Sequence, residues 1–199
     1  MGGVDTTSIT VVWAMAELAR NPILMKNAQD EIRNCVGKKR KVSECDIHQF
    51  QYLKMVVKET LRLHPPGGLL VPRETMSQFN INGYNVYPKT HIWVNIWAIG
   101  TDPESWENPE QFYPERFMDS PIDFKGRNFE FLPFGSGRRG CPGIHMAILN
   151  VELALANLLY HFDWKLPNGL KAEDLNMEEA PGLTNYKKEA LALIPTKCQ

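Results

Sequence analysis

The sequence is short of the features that mark membrane-spanning, secreted, zinc-binding and nucleic-acid-binding chains. Its longest apolar run, residues 92–99, already contains Asn95 and falls well below the roughly 20 residues needed to cross a bilayer. Residues 1–7 hold no basic residue and no long apolar stretch, so they do not form a signal peptide. The four cysteines form no CxxC pair, which excludes the usual zinc sites and disulfide frameworks. Lys plus Arg number 22 and Asp plus Glu 23, so no basic excess points to nucleic acid as a partner.

What is present suits one packed domain, because 43% of the 199 residues are hydrophobic. Apolar residues at helical spacing predict helices in residues 4–20, Pro22–Val36, Gln51–Leu63 and 144–160, with a short helix that Ser43 and Asp46 open as a capping box. Strands are predicted at residues 69–71, Phe79–Ile81, 84–87, 91–96, 162–166 and 190–194. The basic run at residues 38–41 is predicted to be a surface loop. The pattern therefore indicates a mainly helical α+β domain without internal repeats or linkers.

Residues 102–133 show no regular periodicity and contain several prolines. A long segment of this kind is either disordered or functional. Aromatic residues are too frequent here for disorder; they are Trp106, Phe112, Tyr113, Phe117, Phe124, Phe129 and Phe131. We therefore expect this coil to be packed against the domain.

Residues 134–143, which we call the cysteine loop, carry the strongest chemical signal. Glycines at four positions of the loop permit positive φ angles and close approach of a flat ligand. Cys141 stands just before a predicted helix, whose N-terminal amides stabilise a thiolate. Arg139 can bind an anionic group at the same place. An inert cysteine in a glycine-rich turn is the alternative for any one of these residues, but the spacing as a whole favours a functional site.

The spacing F-x-x-G-x-R-x-C-x-G, here Phe134, Gly137, Arg139, Cys141 and Gly143, resembles the cysteine signature of the cytochrome P-450 family. The resemblance implies that these residues bind haem b (iron protoporphyrin IX). It also implies that the Cys141 thiolate is the iron ligand and that Arg139 pairs with a haem propionate. Electron donation from such a thiolate favours O–O cleavage.

Three arginine-bearing motifs extend the resemblance. The family pattern implies that Glu59, Arg62 and Arg116 form a buried structural triad behind the haem. Glu59 and Arg62 alone would equally suit a solvated pair on one helix face. Arg73, which follows Pro72, is implied to be a second propionate partner, although a surface strand residue is the alternative reading.

The first residues resemble the oxygen-activating turn of the same family. The resemblance implies that Thr6 donates a hydrogen bond to O2 and that Asp5 relays protons; the alternative is a threonine-rich helix start. Substrate contacts are implied for two further segments, whose residues are Gly68, Leu69, Leu70, Val71, Leu183 and Thr184. His145 follows Cys141 by one turn and could join it in binding a metal, but a variable position near the haem is the preferred reading.

Taken together, the motifs are most similar to plant microsomal members of the large family-71-like group. The expected fold is the carboxy-terminal half of the cytochrome P-450 fold, with residues 1–199 forming one partial domain whose N-terminal half and membrane anchor are absent. The expected activity inserts one atom of O2 into a small lipophilic substrate, a plant specialised metabolite, with electrons from NADPH-cytochrome P-450 reductase at the cytoplasmic face of the endoplasmic reticulum membrane. A non-catalytic fragment and a haem protein without oxygen insertion are the alternatives. The chain alone is not expected to be active. We expect part of its apolar surface to be exposed, at Val11, Val12, Met15, Leu18, Leu149, Leu153 and Ala156.

Overall fold

The computed structural model describes residues 2–37 and 41–198. The α-helices in these residues are α1 (Asp5–Arg20), α2 (Pro22–Val36), α3 (Gln51–Leu63), α4 (Ile96–Gly100) and α5 (Ile144–His161). The strands are β1 (Arg73–Glu74), β2 (Phe79–Ile81), β3 (Tyr84–Val86), β4 (His91–Ile92), β5 (Phe162–Lys165) and β6 (Ile194–Lys197). The mainly helical α+β architecture that the sequence predicts is confirmed. Of the predicted basic surface loop, residues 38–40 lie outside the described part.

Local sequence signals explain where the helices begin and end. Pro22 occupies the first turn of α2, where its missing N–H is not needed. Gly37 ends the same helix with a φ of +62°, a conformation that glycine adopts without strain. The predicted capping box forms, since the backbone N–H of Ser43 donates to the Asp46 carboxylate at 3.0 Å. A 3-10 helix, Glu44–Gln49, follows it.

One hydrophobic core joins α1, α2, α3 and α5. Its fully buried members include Leu18, Ile32, Leu53 and Leu155. The expected partial exposure is confirmed for Val11, Val12, Leu149 and Leu153, which are half-buried. It is wrong for Met15, Leu18 and Ala156, because the other helices of this chain bury all three. Among the described residues, no helix has the length and apolar character needed to cross a membrane.

The strands form three separate antiparallel pairs, β1 with β4, β2 with β3 and β5 with β6. Three predicted strand positions are wrong. Residues 69–71 form a turn rather than a strand, because Leu70 has a φ of +51° and its N–H donates to the carbonyl of Gly67. The strand at residues 91–96 ends at Ile92, since the side chain of Asn95 caps α4. The final strand is shifted and spans Ile194–Lys197.

The predicted packing of the aromatic coil is confirmed for most of its rings. Trp106, Phe112, Phe117 and Phe131 are buried in the core. The rings of Phe117 and Phe131 are in contact, with centroids 5.4 Å apart. Tyr113 and Phe129 instead are exposed to solvent. The coil therefore forms a packed layer between α3 and the cysteine loop, without regular secondary structure along most of its length.

Candidate functional site

Backbone hydrogen bonds within the cysteine loop place Cys141 just before α5. The N–H of Cys141 donates to the carbonyl of Phe134 at 2.9 Å, which closes the loop at its base. Gly135 and Gly137 have φ angles of +71° and +68°, which side-chain-bearing residues rarely adopt. Gly143 is the N-cap of α5, so the cysteine lies two residues before the cap. The thiol is exposed to solvent, and it is therefore accessible to a ligand.

A cavity of about 320 Å³ opens beside this thiol. Phe124, Phe134 and Ile144 give it apolar walls, and the two phenylalanine rings meet edge to face with centroids 5.9 Å apart. His145 lines the same cavity as Cys141. Residues 2–37 and 41–198 contain no group of three His, Cys, Asp or Glu side chains that could hold a metal ion. The cavity thus offers one soft ligand beside apolar walls.

Two arginines that lie far apart in the sequence meet at the cysteine loop. The pairing of β1 with β4 sets Arg73 opposite Ile92. From there the Arg73 guanidinium donates to the carbonyl of Arg139 at 2.8 Å. Both side chains are exposed, and neither pairs with a carboxylate in the described part of the chain. Two cations therefore lie near Cys141 with no anion of their own.

The structure also brings Glu59, Arg62 and Arg116 together. Arg62 binds the Glu59 carboxylate with two nitrogens, each 2.8 Å from an oxygen, and both side chains are buried. Arg116 donates to the same carboxylate at 2.9 Å. The remaining donors of Arg62 reach the carbonyls of Gly100, Pro109 and Gln111. This burial excludes the solvated helix pair and fixes the aromatic coil to α3.

The Asp5 and Thr6 turn lies at the first turn of α1. The Thr6 hydroxyl donates to the carbonyl of Gly2 at 2.6 Å, and Thr7 makes the same bond to Gly3 at 2.8 Å. Such bonds to the carbonyl four residues earlier leave the hydroxyl oxygen free to accept a further bond. Asp5 is partly exposed, and it stands in the first turn of the helix, where its charge is favourable.

The two segments expected to contact substrate differ in exposure. Val71 and Leu183 are 69% and 77% exposed, whereas Gly68 is buried. A side chain on Gly68 would begin 3.0 Å from the amide nitrogen of Asn185, so the two segments meet here. Leu70 lies against the cysteine loop, with its Cδ1 atom 3.7 Å from the position of a Cβ atom on Gly135. The structure therefore brings both segments and the cysteine loop into one region.

Sequence reasoning missed one buried cluster. His64 lies against Glu17 of α1, with 2.8 Å between Nε2 and the carboxylate. Its ring stacks on Trp13 with the ring centroids 4.0 Å apart and the planes parallel to within 1°. The spacing of these residues gives no signal in the sequence, because the partners of His64 come from distant segments. Only the tertiary structure could reveal them.

Comparisons with known proteins agree with this geometry. The family model for cytochrome P450 matches residues 1–193. Cytochromes P450 71B26 and 71B24 of Arabidopsis thaliana are 59% and 61% identical over 197 residues, and the chain spans about 39% of their length. Two zebrafish cytochrome P450 structures, one with abiraterone and one with progesterone, match it with TM-scores of 0.87 and 0.83 at 32% identity. The first match covers all of this chain and 46% of the zebrafish chain; the second covers 98% and 43%.

The cytochrome P-450 fold expected from the cysteine loop and the arginine motifs is confirmed by these structural matches. Identity close to 60% along nearly the whole chain also confirms the similarity to the family-71-like group of plants. The chain belongs to the cytochrome P450 family.

Proposed function

We propose that this chain supplies the thiolate side of a haem-thiolate monooxygenase, with Cys141 as the iron ligand. The exposed thiol beside an apolar cavity carries the proposal. Haem held by a thiolate supplies the cleavage of O2. In the net reaction one oxygen atom enters a C–H bond of the substrate and the other leaves as water, with two electrons and two protons consumed.

The residues near Cys141 fit haem b. Its two propionates need cationic partners. The Arg73 guanidinium is bound to the backbone of Arg139, and neither arginine pairs with a carboxylate in the described residues. Its flat face needs a wall without side-chain protrusions, which Gly137 and Gly143 supply. Phe134 adds an apolar surface. In the proposal these five residues bind the cofactor, while Glu59, Arg62 and Arg116 only hold the coil that supports the loop.

Asp5 and Thr6, at the first turn of α1, are proposed to handle oxygen and protons. The Thr6 hydroxyl can donate to a bound ligand if it releases the carbonyl of Gly2. Asp5 is partly exposed, so it can exchange protons with solvent. It directly precedes Thr6, so it can pass those protons to the same turn of the helix. Two segments, residues 68–71 and 183–184, supply apolar contacts to a small lipophilic substrate. A plant specialised metabolite is proposed as that substrate, from the resemblance to the family-71-like group.

Electrons are proposed to come from NADPH through cytochrome P-450 reductase. Lys125, Arg127 and Arg138 are exposed cations on the cysteine loop or the segment before it, so they suit an acidic electron-donor protein. By similarity to the plant relatives, the working protein is proposed to lie at the cytoplasmic face of the endoplasmic reticulum membrane.

A carbon-monoxide difference spectrum of the reduced holoprotein tests the ligand. Here the holoprotein means this chain, with any sequence that flanks it in its gene, loaded with haem. Cys141→Ala should abolish the red-shifted band that thiolate ligation produces. The melting temperature of the haem-free protein should not fall. Cys35→Ala removes another exposed cysteine, which is distant from Cys141 in the sequence, and should keep the band. If the red-shifted thiolate band persists in Cys141→Ala, the assignment of Cys141 as the iron ligand is contradicted.

The 199 residues alone are proposed to bind haem weakly and not to turn over. Ligand sites bury most of the ligand surface. Here, however, Cys141, Val71 and Leu183 are exposed. The same spectrum, recorded on the chain supplied with haem, should lack a stable thiolate band. A stable band together with NADPH-dependent product formation would instead show that the chain is a self-sufficient enzyme.

A further inference from the structure

Residues 178–188 form a hairpin, which we call the C-terminal hairpin. Its arms are joined by a bridge between Glu179 and Lys187 and by a hydrogen bond from the Ala180 N–H to the Tyr186 carbonyl at 2.7 Å. Residues 183–184, which are proposed to contact substrate, lie at its tip. The position of the tip therefore depends on how the arms are attached to the rest of the domain.

Asn185 attaches this hairpin at both of its backbone groups. Its N–H donates to the carbonyl of Pro66 at 3.0 Å. Its carbonyl accepts the indole N–H of Trp13 at 2.8 Å. Its side-chain amide lies against Gly68, where an added Cβ atom would be only 3.0 Å away. One residue thus links α1, the hairpin and the start of the other substrate segment.

Trp13 is itself held by His64. The indole is completely buried, and the imidazole ring stacks on it in parallel. Glu17, one turn further along α1, binds Nε2 of His64 at 2.8 Å. Trp13 lies on α1 and His64 ends α3, and both helices are packed in the core. The indole N–H is therefore held in a fixed direction, towards the carbonyl of Asn185.

We propose that Trp13 and His64 are positioning residues for substrate recognition, which hold the C-terminal hairpin at a fixed distance from residues 68–71. This inference rests on the proposed function, since both segments are proposed to contact substrate there. In the described residues, no hydrogen bond, ion pair or ring contact joins either residue to the cysteine loop. Their effect is therefore on the shape of the substrate space and not on iron ligation.

The attachment has a charged component. Glu17, from α1, and Glu179, from the hairpin, are the charged groups that face His64, the second at 3.6 Å from Nδ1. Burial lowers the pKa of His64, but the hydrogen bond with Glu17 and the negative charges of both glutamates outweigh this effect and raise the pKa above its usual value. This contribution to hairpin attachment is therefore complete at acidic pH. It is lost as the pH rises through the raised pKa, because neutral His64 keeps one N–H, for Glu17, and loses the ion pair with Glu179.

The first experiment compares Trp13→Phe with Trp164→Phe. Each replacement removes an indole N–H that donates to a backbone carbonyl, that of Asn185 in the first and that of Leu158 in the second. Amide hydrogen exchange in the peptide containing Asn185 should be about 3- to 10-fold faster in Trp13→Phe, the effect of losing one hydrogen bond. In Trp164→Phe that peptide should exchange as in the parent.

Two haem-binding probes separate positioning from general destabilisation. Imidazole is too small to contact the walls, whereas phenylimidazole adds an apolar ring that must fit between them. In the Trp13→Phe holoprotein the dissociation constant of phenylimidazole should rise about 3- to 10-fold, and that of imidazole should not change. Equal changes for both probes, or no change for either, would overturn the proposal.

A second variant tests the charged component and does not depend on a buried ring. Glu179→Gln keeps the shape of a side chain that is one-third exposed, and it removes the negative charge. Exchange at the hairpin should exceed that of the parent at about pH 6. The two proteins should converge at a pH above the raised pKa of His64, where its ring is neutral. His91→Gln, which alters an exposed histidine 3.6 Å from Glu74, should match the parent at both pH values. A Glu179→Gln difference that is the same at both pH values would contradict the role of His64.

The failure of this inference differs from the failure of the proposed function. A parent holoprotein without a thiolate band would refute the proposed function. An intact band, together with unchanged hairpin exchange and unchanged phenylimidazole affinity in Trp13→Phe, would refute the inference alone.

Discussion

The Glu59–Arg62–Arg116 cluster and the cysteine loop both depend on arginine, but they use it in opposite ways. In the cluster, Arg62 is buried and its donors all have partners within the chain. At the cysteine loop, Arg73 and Arg139 are exposed and have no carboxylate partner in the described residues. The first region is complete as a protein structure, whereas the second offers charge and a thiol to a ligand.

This contrast separates the residues that hold the site from the residues that serve it. A buried ion pair is costly to break, because the partner left behind keeps an uncompensated charge. An exposed group can be removed at little cost in stability. Substitutions in the cluster should therefore lower stability first and function only as a consequence. Substitutions at the ligand-facing groups should change the chemistry alone.

The largest effect is expected for Arg62→Ala. It leaves the Glu59 carboxylate buried with only Arg116 as a cation. It also removes the Arg62 donor from the carbonyls of Gly100, Pro109 and Gln111, of which only Gln111 keeps a bond from Arg116. The free energy of unfolding should fall by about 3–5 kcal/mol, with loss of haem content in the holoprotein. Denaturant titration measures the first quantity. Lys188→Ala, which breaks an exposed pair with Glu178, should leave the unfolding curve unchanged. Equal unfolding curves for the two variants would show that the buried cluster contributes no more to stability than an exposed ion pair.

Gly100→Ala tests the same cluster by volume and not by charge. A Cβ atom there would lie 2.7 Å from the backbone carbonyl oxygen of Arg62, too close for any real contact. We expect a loss of about 1–3 kcal/mol from overpacking, measured by thermal or denaturant unfolding. Gly67→Ala is the matched control, because nothing lies within 4 Å of its added atom. A harmless Gly100→Ala would show that α4 can move away from α3.

Glu152 shows what a buried carboxylate does without a buried cation. Burial raises its pKa to about 7, and the charge of Lys54 opposes this shift only in part. Between about pH 4.5 and 7 the unfolded chain ionises this group while the folded chain keeps it protonated, so stability should fall as the pH rises through this window. Glu152→Gln should flatten that fall and stabilise the protein by about 2 kcal/mol at neutral pH. Unfolding curves across the window measure it, with the exposed Glu173→Gln as control. Parallel pH profiles for Glu152→Gln and the parent would contradict the raised pKa.

The smallest change in stability is expected at the start of α1. Thr6 and Thr7 each donate to a carbonyl four residues earlier, so alanine at either position should change the free energy of unfolding by less than about 0.5 kcal/mol. Only Thr6→Ala should divert NADPH electrons from product to peroxide or water in the holoprotein. The ratio of product formed to NADPH consumed is the measurement. Equal ratios in the two variants would mean that this turn does not handle oxygen.

Local patterns predicted the four long helices well, because capping residues and apolar spacing act over a few residues. The short helix α4 was missed, and its first residue was assigned to a strand. The bounds of α2 and α3 follow from Pro22, Gly37 and Pro65 in this way. Strands were predicted less well. Arg73 and Glu74 form β1 only because β4 lies beside them, and the apolar residues before them are turned by the positive φ of Leu70. A two-residue strand has no pattern of its own to detect.

In the candidate site too, the local features could be predicted from the sequence and the long-range contacts could not. The spacing of Glu59 and Arg62 and the glycines around Cys141 are visible in the sequence. The carbonyl partners of Arg62 and the contact of Arg73 with Arg139 are not, since they depend on how distant segments pack. The stacking of Trp13 on His64 was missed for the same reason.

The packing of α1 against α5 has a consequence for the time course of synthesis. Helix α5 begins about 120 residues after α1 ends, and the Trp13 partner Asn185 comes later still. At translation rates of roughly 5–20 residues per second, α5 and Asn185 are synthesised on the order of 6–30 seconds after α1, and the apolar face of α1 lacks these partners until then. During that interval the nascent helix exposes Leu18 and Trp13 to water and to other chains. Chaperone binding to a ribosome-held chain should therefore begin once α1 emerges and end only after α5 has left the exit tunnel.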